Sequence, residues 1–411
     1  MPEPLFSVII PIYNKWELTR ACLESLCDHN CGLDFEVIVA DNASTDASAT
    51  ELLPLGESLF GKNRFKALRF AQNRNFGPAC NAGAGQATAP LLFFLNNDTL
   101  LTENWAPPLL EALGRDPSLG AVGPLLLYAD NTVQHLGITY SSGSVCHLYS
   151  SFPEAHPLVR KKRPLQAITA AAMLLPREIF FRAGGFFEGY RNGFEDVDLC
   201  LQIGKLGKKP ACIPQSRVYH LEGQSQGRGD NEQHNSRLLT ERCYDLFRPD
   251  LHRHALRDGF KVVLDDYTNE SAVTTDELDR ELRRGAEGKT LDYLLERINE
   301  HPYWLQGHLL LADSLRVNGM AGEAAYYFSK AFNICATEDT ARKLVDAAQN
   351  SGNMELQNQA SAQLERLQTF KRDQESRTAL LRKKIRWAEK FQDQFLQKMF
   401  TGELEKIKSG H

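Results

Sequence analysis

The sequence predicts an α/β domain on a mixed, mostly parallel sheet, followed by an all-α, repeat-like region. Two observations lead there. Through the first half, short apolar runs alternate with stretches of helical spacing, the pattern of strands joined by helices. After about Phe247 strand signals fade and helical spacing takes over. A chain of 411 residues is also long enough for two or three domains. The expected divisions are an α/β domain over 1–250, a linker or helical connection over 251–285, a helical domain over 286–370, and a charged amphipathic helix over 371–411.

The first strand is Leu5–Asn14, ended by Tyr13 and Asn14, and Trp16–Cys27 follows with apolar residues at helical spacing. Phe35–Ala40 is the next strand. It runs into the polar cluster Asp41–Asp46, in which Ser44 or Thr45 is expected to cap the following helix. Arg64–Phe70 is a third strand, and Asn73–Gly83 leads into a helix. Leu91–Leu95 is a continuous apolar run that breaks into Asn96, Asn97 and Asp98. Trp105–Leu113 is helical, Ala121–Tyr128 extended, and 131–165 irregular, with a basic run Arg160–Arg163. Ala167–Pro176 starts with small residues and continues with larger apolar ones, as a strand with room for a ligand would. A helix starts near Glu195, and Val218–Ser225 runs from a strand into a glycine-containing polar loop.

Composition narrows the classes. Hydrophobic content of 42% and charged content of 24% are those of a globular protein. A net charge of −5 argues against a dedicated nucleic-acid binder. Nine irregularly spaced cysteines suggest reduced thiols and a cytoplasmic setting. No leader or membrane span is expected, and peripheral contact at the inner face of a membrane stays open. Pro11-Ile-Tyr-Asn-Lys15 lacks the glycine fingerprint of a dinucleotide site, and no Gly-Lys-Ser/Thr phosphate loop is present.

In open α/β sheets ligands sit beyond the carboxyl ends of the strands. Three strands here end in ligand-capable residues: Tyr13 and Asn14, then Asp41, then Asp98. Asp98 could hold a divalent cation and, through it, a diphosphate. An ordinary Asn-Asn-Asp turn is the competing reading. Glu195, Asp196 and Asp198 put three carboxylates at a helix start. The helix dipole favours such residues, but three exceed what a cap needs.

Taken in order, Ser7–Asn14, Val37–Asp46, Asn73–Gly77 with Asn81–Gly83, and Leu95–Asp98 resemble the motifs of family 2 glycosyltransferases. The resemblance covers roughly residues 5–250 and is nearest the rhamnosyl- and hexosyltransferase branch. It implies a GT-A fold binding a sugar nucleotide, with UDP- or dTDP-sugar as donor and Mg²⁺ or Mn²⁺ as cofactor. By the same resemblance Pro11 and Tyr13 line the base pocket, with Asn14 beside them, and Asp41 bonds the base or ribose. Asn75, Gly77 and Asn97 lie near the ribose and diphosphate, and Ser225 and Arg228 reach phosphate. Asp98 binds the metal, with His220 as a further ligand or a diphosphate contact. Asp196 is the catalytic base of an inverting transfer and Glu195 orients a substrate. Asn96 replaces the first carboxylate of the wider Asp-x-Asp pattern.

In the C-terminal third, Leu311, Ala312, Leu315, Gly319, Ala324, Phe328 and Ala331 match a tetratricopeptide repeat, and Leu344, Ala348 and Gly352 begin a weaker copy. Lys371–Lys408 is expected as one long helix. Its apolar stripe (Leu380, Leu381, Ile385, Ala388, Phe391, Phe395, Met399, Phe400) suits docking or a homodimer. Its basic face (Arg382, Lys383, Lys384, Arg386) suits anionic lipid. The acceptor would be a protein such as flagellin, favoured by the repeat, or a surface or lipid-linked glycan. Two other classes compete: a catalytically silent sugar-nucleotide-binding scaffold, and a glycoside hydrolase, which has no use for a nucleotide pocket.

Overall fold

The computed structural model describes residues 3–30, 32–142, 145–221 and 231–409. They form two compact units, 1–139 with 147–247 and 140–146 with 248–411.

The first unit is built on one nine-stranded sheet. Its early strands are β1 (Phe6–Ile12), β2 (Phe35–Asp41), β3 (Phe65–Arg69), β4 (Leu91–Leu95) and β5 (Thr99–Leu101). Later come β6 (Leu119–Leu127), β7 (Val133–His135), β10 (Ala172–Pro176) and β11 (Lys209–His220). The order is β3-β2-β1-β4-β10-β6-β11-β5, with β7 against β6. β1, β2, β3 and β4 are parallel, while β10 and β5 run antiparallel to their neighbours. The sheet is therefore mixed and the fold class α/β.

β1 and β2 are buried along their whole length, which is why they read as unbroken apolar runs. Helices α1 (Trp16–Asp28), α2 (Ser48–Phe60), α3 (Phe76–Gln86), α4 (Ala106–Arg115), α5 (Arg177–Arg182), α6 (Glu195–Lys205) and α7 (Glu232–Cys243) complete the unit. Gly83 of α3 lies so close to β1 that an added Cβ would fall 2.6 Å from Ile9 Cγ2. Trp105 stacks on Phe93, with ring centroids 4.7 Å apart, and anchors α4 to β4.

Two local expectations need correction here. Ser44 and Thr45 do not cap α2. The N-cap is Ala47, without a side-chain bond; Asp46, just before it, takes the Ser48 N–H at 3.0 Å and the Trp16 N–H, at the start of α1, at 2.9 Å. Nor is 131–165 wholly irregular: it holds β7, two short strands β8 (Ile138–Tyr140) and β9 (Val145–His147), and a 3-10 turn at Pro157–Arg160. Strands of three residues are too short for periodicity to reveal.

The second unit has helices α8 (Leu251–Arg257), α9 (Asp276–Ala286), α10 (Leu291–Glu300), α11 (Leu305–Val317), α12 (Ala321–Ile334), α13 (Glu338–Asn350) and α14 (Met354–Arg372). It ends with α15 (Gln374–Lys390) and α16 (Gln394–Ser409). Residues 251–285, read from sequence as a linker or helical connection, also contain an antiparallel hairpin of β12 (Lys261–Leu264) and β13 (Glu270–Val273), so the unit is not all-α. Leu311, Ala312, Leu315, Ala324, Phe328, Ala331 and Leu344 are buried in one core. Gly319 and Gly352 take positive φ at the helix turns, where glycine carries no steric cost.

The long terminal helix is in fact two. Gln392 is left-handed, at φ 53°, and Asp393 accepts the Leu396 N–H at 3.1 Å to start α16. The helices fold on each other, burying Leu381, Ala388, Leu396, Phe400 and Leu404. The apolar stripe expected to dock or dimerise is thus largely used inside the unit. Lys384 does not face lipid either. It is buried and donates to Thr268 O at 2.6 Å and Asn269 Oδ1 at 3.0 Å.

Candidate active site

The carboxyl ends of β1, β2 and β4 lie along one edge of the sheet. Ile12 pairs with Asp41 in register, and Phe6–Ile9 with Leu91–Phe94. β10 begins at that edge, because Ala172 lies opposite Leu95. β11 ends there, with His220 opposite Thr99.

On the β1–β2 side, Pro11 is buried within its strand and Tyr13 is half exposed. Asn14 takes the left-handed region, φ 55°, and its Oδ1 accepts the Thr45 N–H at 2.8 Å. Asp41 Oδ1 accepts the Ser44 N–H at 2.8 Å, and Oδ2 lies 3.6 Å from Arg69. These contacts hold the 41–46 loop against the end of β1. Asn75, at φ 66°, precedes α3. A Cβ on Gly77 would lie 3.4 Å from Phe186 Cβ and 3.6 Å from Glu195 Cγ. The Asn75–Gly77 turn therefore packs on the segment that carries the acidic pair.

At the end of β4, Asn96 N donates to Ala171 O at 2.8 Å, and Asn97 Nδ2 donates to Thr19 Oγ1 of α1 at 2.9 Å. Asp98 O accepts the Leu221 N–H at 2.8 Å, tying the turn to the end of β11. Asp98 Oδ1 is buried with no hydrogen-bond donor, and it faces His220 Nε2 at 3.1 Å. Asn96 Nδ2 lies 3.2 Å from the same nitrogen. His220 Nδ1 is 2.6 Å from Gln134 Oε1, while Gln134 Nε2 donates to His220 O at 2.9 Å. An undonated carboxylate oxygen beside an imidazole nitrogen suits a divalent cation, since both are metal-ligand types and the other ring nitrogen is already held. Among the described residues no cluster of three or more His, Cys, Asp or Glu side chains could hold a metal, so the remaining coordination would come from diphosphate and water.

The acidic pair follows a loop with unusual backbone. Asn192, Gly193 and Phe194 all have positive φ, a cost for a residue as bulky as Phe194. The loop delivers Glu195 and Asp196 to the first turn of α6. Asp196 Oδ2 accepts the Ala170 N–H at 3.0 Å and Oδ1 the Val197 N–H at 2.8 Å. Glu195 is 3% exposed. Its Oε2 accepts the Gly193 N–H at 2.6 Å and its Oε1 has no partner. Burial pushes its pKa up to about 7 against the pull of nearby N–H groups, and the charge of Asp196 adds to the rise. Asp198 is spent on structure, accepting from Arg242 at 2.5 Å and Gln202 at 2.7 Å.

The Asp98 turn and Asp196 thus grip adjacent residues, Ala171 and Ala170, just ahead of β10. Ser225 and Arg228 lie outside the described residues. Sequence reasoning missed Gln134 and His135. The one signal was a polar pair between the apolar Val133 and Leu136.

Residues 7–182 match the family "Glycosyl transferase family 2". The chain is 31% identical over 248 residues to the uncharacterized protein y4gI of Sinorhizobium fredii, covering 59% of this chain and 27% of that protein. It is 31% identical over 229 residues to the O-antigen biosynthesis protein RfbC of Myxococcus xanthus, covering 54% and 18%. It is 29% identical over 222 residues to the N-acetylglucosaminyl-diphospho-decaprenol L-rhamnosyltransferase of Mycobacterium tuberculosis, covering 47% and 68%. The chain spans less than a third of the first two relatives. Residues 7–182 form a domain of glycosyltransferase family 2.

Proposed function

We propose that the chain is an inverting, metal-dependent glycosyltransferase that moves a sugar from a UDP- or dTDP-sugar to an acceptor hydroxyl. The observation that carries this reading is the undonated Asp98 Oδ1 facing His220 Nε2, at the sheet edge where the Glu195–Asp196 pair is also fastened. A Mg²⁺ or Mn²⁺ ion held by Asp98 and His220 would offset the negative charge that grows on the leaving diphosphate. Asp41 and Tyr13 flank the nucleotide base and ribose, and Asn75 and Gly77 the diphosphate. Asp196 accepts the proton of the acceptor hydroxyl as that oxygen attacks the anomeric carbon. Its two N–H donors, from Ala170 and Val197, hold and aim the carboxylate. One displacement inverts the configuration, so no covalent intermediate is needed.

The acceptor we propose is a surface or lipid-linked glycan. Support comes from the names of two relatives, one in O-antigen biosynthesis and one acting on a diphospho-decaprenol. A lipid-linked acceptor would be met at a membrane surface, and no described helix is long and apolar enough to cross one. The test is a thermal-shift screen of UDP- and dTDP-sugars with and without Mn²⁺, on wild type and Asp98→Ala. A Mn²⁺-dependent stabilisation that disappears in the variant supports the reading. Equal nucleotide binding by both proteins would overturn the metal assignment.

A further inference from the structure

Gln134 and His135 are neighbours on β7, and both are almost wholly buried, 3% and 1% exposed. A regular strand would turn one of them away. Here the β6–β7 ladder shifts between Leu126, opposite His135, and Leu127, opposite Val133. Gln134 is therefore an extra residue without a partner on β6. Such bulges redirect side chains and are common beside active sites.

The two side chains serve different halves of the site, and the hydrogen bonds settle where their protons lie. Gln134 Nε2 donates to His220 O, so Gln134 Oε1 is what faces His220 Nδ1 at 2.6 Å. An amide oxygen only accepts, so His220 carries its proton on Nδ1. Nε2 is then the ring nitrogen turned to the site, facing Asp98 Oδ1 and Asn96 Nδ2. His135 Nε2 lies 3.2 Å from the Thr169 N–H. A backbone N–H only donates, so this nitrogen is bare and Nδ1 donates to His147 Nδ1 at 2.8 Å. Thr169 precedes Ala170, whose N–H holds Asp196 Oδ2.

We infer that Gln134 and His135 are paired positioning residues: Gln134 presents the His220 lone pair to the cation, and His135 holds the backbone that aims Asp196. This rests on the proposed transfer reaction for its purpose, but its geometry can be tested without that reaction. ¹⁵N-edited NMR of the histidines, on the full chain with no added ligand, should show His220 and His135 both protonated on Nδ1. A bare Nδ1 on either ring overturns the inference.

Two variants separate the halves. Gln134→Leu should raise the Mn²⁺ needed for half-maximal UDP or dTDP binding by about ten- to a hundredfold. Gln134→Glu, which keeps the acceptor for Nδ1 but loses the donor to His220 O, should recover only part of it. His135→Leu should leave that binding unchanged and lower the kcat of donor hydrolysis at least about tenfold, with recovery in His135→Gln. A Mn²⁺ requirement within twofold of wild type in Gln134→Leu, or parallel loss of binding and turnover in both variants, overturns the assignment. If wild type binds neither nucleotide with Mn²⁺, the transfer reaction is what falls, and the tautomers still judge the positioning.

Discussion

Buried carboxylates are treated differently in the two units. In the C-terminal unit they are fully engaged. Glu270 accepts the Ser142 N–H on both oxygens and the Ser142 hydroxyl on Oε2. Asp393 accepts from Leu396 N, Arg253 and His252. In the N-terminal unit, carboxylates away from the sheet edge are engaged too. Glu36 takes donors from Ser7, Thr88 and Lys66, which outweigh the upward push of burial and hold it down at about 2. Asp98 and Glu195, at the edge, each keep a buried oxygen with no donor. An unpaired buried oxygen costs free energy. Such an atom calls for an explanation, of which a bound ion or a catalytic role is one. The comparison therefore sets Asp98 and Glu195 apart from the carboxylates that hold the structure, while Asp196 beside them has an N–H on each oxygen and owes its proposed role to position.

The largest effect expected at the sheet edge is on turnover. Asp196→Asn should lower kcat by about 10²–10⁴-fold, the usual contribution of a general base, with Mn²⁺-dependent nucleotide binding retained. Near-normal turnover in a donor-consumption assay would remove Asp196 from the chemistry.

Glu195 gives the next largest effect. Its folded pKa, about 7, lies above its ordinary 4.5, so the folded state holds the proton more tightly. Its stabilising contribution is complete below about pH 4.5 and is lost as pH rises to about 7. The decline should amount to about 3 kcal/mol. Denaturant unfolding across this range should show it in wild type, and Glu195→Gln should flatten it. An unchanged slope in the variant would mean that Glu195 is not the buried acid.

The smallest effect on turnover tests the other side of the comparison. Asp393→Ala removes the cap of α16 and the partner of His252, and should cost about 2–4 kcal/mol of stability by calorimetry. Since Asp393 belongs to the structural class, kcat at a temperature where the variant is folded should stay within about twofold of wild type. A selective loss of kcat would blur the two classes.

Much of the fold was legible because the signals were local. The buried strands β1, β2 and β4 are unbroken apolar runs, and helices such as α1 carry their period in their own residues. The motif order likewise pointed to the family that residues 7–182 match. Local signals failed where distant residues decided the outcome. The C-terminal stripe reads as a docking face until α15 and α16 fold on each other and consume it. Lys384 reads as a surface cation until the β12–β13 turn supplies acceptors for it.

The sequence by itself determined an α/β domain followed by helices, because hydrophobic period is a property of neighbouring residues. It also singled out Asp41, Asp98, Glu195 and Asp196 as candidates. Only the tertiary structure decided which of these carboxylates are left with unpaired oxygens. It alone decided, too, that His220 faces Asp98, and that Gln134 and His135 stand behind the site. The reason is physical: burial, donor count and the choice of imidazole tautomer depend on partners 26 to 124 residues away in the chain, and no local pattern records them.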